Sequence, residues 1–110
     1  MKIIDNGCLV TDWSEIRVES VNGKSGISHS KKIEYGEIRM RTIEYSPGYE
    51  ADHWCPKGHI IFVLEGELVI KLKDRTDYRI NKGMSFVCGD SESNMHSAFS
   101  KNGATVIIID

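Results

Sequence analysis

No stretch of this 110-residue chain carries apolar residues at the 3.6-residue period of a helix. Glycines and polar turn residues instead cut it into short apolar runs. Ile33 to Tyr35 and Ile38 to Tyr45 read as strands around a turn at Gly36. His59 to Leu64 is nearly all apolar, the pattern of a strand buried on both faces. Glu65-Gly66 is expected to break it, after which Leu68, Ile70 and Leu72 alternate with polar positions. A polar turn over Asp74 to Asp77 precedes a short strand over Tyr78 to Ile80. Met84, Phe86 and Cys88 alternate next, then come strands over Met95 to Phe99 and Ala104 to Ile109. Thr11 to Glu15 holds capping residues, with room for one helical turn. About eight strands with tight connections make an all-β protein, a sandwich or a closed barrel.

The length fits one domain over residues 1–110. A formal net charge of −2, with dispersed basic residues, gives no field that attracts nucleic acid. No apolar run is long enough to span a bilayer, and Asp5 interrupts the start before a signal-peptide core forms, so a cytoplasmic location is expected. Cys8, Cys55 and Cys88 are an odd set, read as reduced thiols, with Cys8 and Cys88 as small packing residues.

The chemistry concentrates in Gly48 to His59. On an extended segment His53 and Cys55 point to one face while Asp52 and Trp54 point to the other. His59 follows the Pro56-Lys57-Gly58 turn and opens the next strand, and a barrel brings His96 opposite this group. His53, Cys55, His59 and His96 are therefore candidate ligands of one divalent metal ion. Each has a plainer reading beside it: an imidazole can be a core or surface group, and Cys55 a packing residue or a redox-sensitive thiol. His29, in the polar run Ser28-His29-Ser30, takes the plainer reading.

This segment resembles the cupins. Gly48, then His53-x-Cys55, three residues, His59, six residues and Gly66 is similar to their first motif, glycine, His-x-His, glutamate, glycine. Phe62-Val63-Leu64-Glu65-Gly66-Glu67 is similar to the strand and turn that close it. Gly83 and His96 match the ends of the second motif; Gly89 stands at its proline, the loop is longer, and Ser100 replaces its asparagine. The run Asp52-His53-Trp54-Cys55 is also similar to a group of short cupins named for an Asp-His-Cys-Trp motif, with the last two residues exchanged. The resemblance spans about Arg39 to Asp110 and implies a double-stranded β-helix, or jelly-roll barrel.

The cupin set of three histidines and one carboxylate carries one negative ligand. Here Cys55 stands at a histidine position and His59 at the carboxylate position, so a thiolate restores that charge. One sulfur and three imidazoles suit zinc, iron, nickel or copper over magnesium or calcium.

Parity also groups Arg39, Arg41, Ile43 and Tyr45 on one strand face. Facing inward, an arginine orients an anionic group; facing outward, both are solvated charges, which is the default. The resemblance implies a metal-dependent enzyme acting on a small molecule, of dioxygenase, isomerase or lyase type. The alternatives are a binding or redox-sensing module without turnover, or a barrel without metal. Small cupins pair as homodimers, and the edge segment Ile16 to Val21 is a candidate contact.

Overall fold

The computed structural model describes residues 2–74 and 76–110. Its strands are β1 (Glu19–Asn22), β2 (Ile27–Tyr35), β3 (Ile38–Tyr45), β4 (Tyr49–Glu50), β5 (His59–Leu72), β6 (Asp77–Asn81), β7 (Ser85–Cys88), β8 (His96–Ser100) and β9 (Ala104–Ile109). The helical content among the described residues is two 3-10 turns, Trp13–Glu15 and Glu92–Asn94. The first is capped by Asp12, whose carboxylate accepts from the Ser14 N–H.

All pairings are antiparallel, in the order β1-β2-β3-β9-β5-β8-β4, with β6 and β7 also on β5. The result is a curled, almost all-β jelly-roll barrel. β5 serves both of its halves: His59 to Gly66 pairs with β7 and β9, and Glu67 to Leu72 with β6 and β8. The register slips between Val63 and Glu65, a bulge that bends the strand. Before it His59, Ile61 and Val63 are buried; after it Leu68 and Ile70 are, so the inward parity has changed. Gly66 sits at the corner with φ +78°, and a Cβ there would strike the Gly103 carbonyl. Glu65-Gly66 is thus a corner inside one strand, where the sequence pattern suggested an end.

The core comprises Ile43, Ile61, Val63, Leu68, Ile70, Ile80, Ala104, Val106 and Ile108. The face of β5 opposite the core is covered at Val69 but open ahead of the bulge. Phe62 and Leu64 are therefore 41% and 37% exposed, which corrects the expectation of a run buried on both faces. β2 begins at Ile27, six residues ahead of the sequence reading. Its polar run Ser28 to Lys32 pairs with β3 through the backbone, a bond that hydropathy does not register. The turn expected over Asp74 to Asp77 includes Arg75, which lies outside the described residues. β1, which overlaps the proposed edge segment over Glu19 to Val21, pairs with β2 of the same chain.

Candidate metal centre

Cys55, His59 and His96 converge. One ligand atom from each lies within 4.8 Å of the other two. Cys55 Sγ is 3.9 Å from His59 Nε2, and the two imidazoles meet edge to face with centroids 5.0 Å apart. Three elements bring them there. Cys55 is pinned to His96 by reciprocal backbone hydrogen bonds of 2.8 and 3.0 Å, an isolated bridge between the loop and the start of β8. His59 is the first residue of β5, on the parity of Ile61 and Val63. Gly58 allows the loop to press on β7: a Cβ there would meet the Cys88 carbonyl, and its N–H donates to Asp90 at 2.6 Å.

The far nitrogen of each ring is held. His59 Nδ1 lies 2.6 Å from Asp110 Oδ2, and His96 Nδ1 lies 2.9 Å from the Asn94 carbonyl. Both acceptors take a proton on Nδ1, which leaves Nε2 with its lone pair available to a cation. Such outer partners fix the tautomer and orientation of metal-binding histidines. Burial lowers the His59 pKa from its ordinary value against the opposing pull of Asp110, which favours the neutral ring. With a soft sulfur beside two imidazoles, the donor chemistry fits a divalent transition metal.

His53 occupies a different setting. It lines the same cavity as the other three, but its side chain is 69% exposed and its Nδ1 is bonded to Asp52 at 2.9 Å. Residues 51–58 form no strand, and β4 ends at Glu50. Although this stretch is not a ladder strand, Ala51, His53 and Cys55 line the cavity while Asp52 and Trp54 do not, the alternation expected of it. Pro56 and Gly58 close by favour a loop.

Asp110 escaped the sequence reading. Its side chain is 1% exposed and gathers Arg39 Nε at 2.9 Å, Arg39 Nη2 and Arg41 Nη2 at 3.1 Å each, and His59. Burial alone would raise this carboxyl; the Arg39 and Arg41 guanidiniums and the His59 ring outweigh it and hold the pKa down to about 2. The signal for it was the alternation Ala104, Val106, Ile108, which continues inward to residue 110. Arg39 and Arg41 line the cavity with Ile43 and Tyr45, so this face points inward, against the solvated default. β9 pairs with β3 and closes the barrel beside them, which leaves the two arginine side chains only partly exposed, at 32% and 21%.

All three cysteines are free. Cys8 is exposed, not packed as expected, because its segment lies outside the barrel; Cys88 is half-buried, and burial pushes its thiol pKa up. Trp54 is 43% exposed, with the Lys73 ammonium 5.6 Å from its ring centroid. No described helix is long and apolar enough to cross a membrane.

No family model and no curated protein matches the chain. Solved structures do. An RmlC-like cupin from Shewanella frigidimarina superposes with a TM-score of 0.74 at 19% identity, over 90% of this chain and 86% of that one. The polyketide cyclase RemF from Streptomyces resistomycificus gives 0.73 at 17%, over 94% and 78%. Ectoine synthase from P. lautus gives 0.69 at 12%, over 93% and 76%. Superposition this extensive at such low identity is a statement about architecture, and the fold of this chain is the cupin fold.

Proposed function

We propose that the chain is a metal-binding cupin that converts a small molecule in its barrel, with the ion held by Cys55, His59 and His96 and by His53 as fourth ligand. The observation that carries this reading is the convergence of three donor atoms within 4.8 Å, with the far nitrogens of both imidazoles anchored. His53 joins the set because it lines the same cavity, its Nδ1 held by Asp52. Zinc, iron and nickel all suit these donors. When bound, the ion would act as a Lewis acid on a ligand in the cavity, whose volume of about 410 Å³ is that of a small-molecule site. Four protein ligands leave two positions open on a six-coordinate ion, the arrangement for turnover, and none on tetrahedral zinc, the arrangement for a structural or binding role.

The same fold serves a cyclase and a synthase, which supports an enzyme of dioxygenase, isomerase or lyase type. A sensing module without turnover is the competing reading. Free cysteines accord with a cytoplasmic location. A second copy of the chain is the proposed partner, through apolar side chains left exposed on the outer face of β5 and β7, namely Phe62, Leu64 and Val87.

Metal analysis of protein purified without added metal tests the centre. Stoichiometric zinc, iron or nickel that is lost in His96→Ala is the expected result; equal content in that variant would remove the site. Oxygen uptake and product formation across a panel of small acids, sugars and thiols then separate the enzyme from the sensor, since any turnover rejects pure binding.

A further inference from the structure

We propose that Arg41, supported by Arg39, recognises the carboxylate of a small organic acid in the barrel cavity. This deepens the metal-site reading, on which it rests for the choice of cavity. Lys32, Arg39 and Arg41 line that cavity against one carboxylate of the lining, Glu19. Beneath them Asp110 is shared: both its oxygens serve Arg39, and Oδ2 also accepts from Arg41 Nη2 and from the His59 ring. One carboxylate thus faces two guanidiniums, with the Lys57 ammonium 3.8 Å from Oδ1 as well, so Asp110 alone does not balance the positive charge gathered on it. The unmatched group is visible at the atomic level. Arg41 Nε is buried and has no hydrogen-bond partner among the described residues. Leaving a charged donor unsatisfied costs more than leaving a neutral one, so a small turn of this 21% exposed side chain that brings Nε onto an anionic oxygen in the cavity would relieve a penalty already present in the fold. Burial, with the neighbouring Arg39 charge, lowers the Arg41 pKa in the same sense.

The position also sets what the acid can do. Arg41 and His59 contact the same oxygen of Asp110, so a ligand held by Arg41 lies one carboxylate away from the His59 ring. A carboxylate on the guanidinium therefore stands in the same cavity that Cys55, His59 and His96 line. A guanidinium favours carboxylate and phosphate over neutral groups because its planar donors match their oxygens. The cavity volume, about 410 Å³, limits the acid to a small molecule.

Lactate, malate and glutamate, each at millimolar concentration against its uncharged amide, are the probes, with inorganic phosphate as a further arm. Binding is followed by calorimetry on cobalt-loaded wild type, Arg41→Gln and Arg41→Lys. The lysine variant keeps the charge opposite Asp110 while removing the Nε–H, and serves if the glutamine variant fails to fold. At least one acid is expected to bind, its amide not, with affinity about tenfold lower in Arg41→Lys. Cobalt absorption in the same samples separates the two readings. Cobalt bound with none of the acids bound overturns the carboxylate assignment and leaves the metal centre. Arg41-dependent acid binding without any cobalt uptake overturns the metal centre and keeps the recognition. Acid binding that is indifferent to residue 41, or phosphate binding with equal strength, also overturns the assignment.

Discussion

His59 Nδ1 lies 2.6 Å from Asp110 Oδ2, a contact between the first residue of β5 and the residue that follows β9. The same carboxylate is bonded to Arg39 and Arg41 of β3, so three strands meet on one buried side chain. The barrel is tied together by charge at the point where it would hold its ion.

Removing that charge has two consequences. Asp110→Asn leaves two guanidiniums against no anion, and the fold is expected to lose about 2–3 kcal/mol, less than a fully buried pair because both arginines keep some solvent. Denaturant unfolding of the apoprotein measures this. Metal affinity should fall about 10- to 100-fold, since the carboxylate that orients the His59 ring is gone. Unchanged affinity would make the contact purely structural.

The pH dependence follows from the same group. The Asp110 pKa is lowered from 3.8 to about 2 in the folded chain, so its contribution is fully present above pH 4. That contribution is lost as pH falls through the folded value, where both states are protonated. Acid unfolding should therefore be steeper between pH 4 and 2 in the wild type than in Asp110→Asn, with the two curves converging below that window. Parallel curves would contradict it.

Cys55→Ser is expected to keep the fold, because the backbone bridge to His96 does not use the side chain. Cobalt-loaded wild type should show a sulfur-to-metal charge-transfer band that the serine variant lacks. A chelator should lower the melting temperature of the wild type, the linkage being worth about 2.7 kcal/mol at a free metal concentration 100 times Kd. An identical melt with and without chelator would favour a barrel that holds no ion.

Gly66→Ala tests the corner of β5. A side chain at φ +78° is strained, and its Cβ meets the Gly103 carbonyl, so a loss of about 1–3 kcal/mol is expected in denaturant unfolding. Gly48→Ala supplies the contrast. It shares the positive φ of +76° but has nothing within 4 Å of its Cβ, and should cost less.

Much of this was legible in the residues. The alternations of Leu68 to Leu72 and Met84 to Cys88 led to an all-β protein, and the resemblance carried by His53 to Gly66 led to the barrel and, with His96, to three converging donors. Parity is a local property, and it failed where the strand is interrupted, at the Val63 to Glu65 bulge. Polar strands such as Ser28 to Lys32 are held by neighbours distant in sequence, and no local pattern announces them. Asp110 was missed for a related reason: a carboxylate after an apolar strand looks solvated until Arg39, Arg41 and His59 arrive from other strands. The inward turn of the two arginines has the same origin, the pairing of β3 with β9.

The bend in β5 brings the strand's own extremities round to one another. His59 heads it, and Leu72 at its tail pairs with His96, whose ring packs on that of His59. A cation gripped by those two imidazoles would work as a clasp on a hooked ribbon. Its release would loosen the hook at its mouth, whereas the middle of the ribbon stays clamped by β9 and β6.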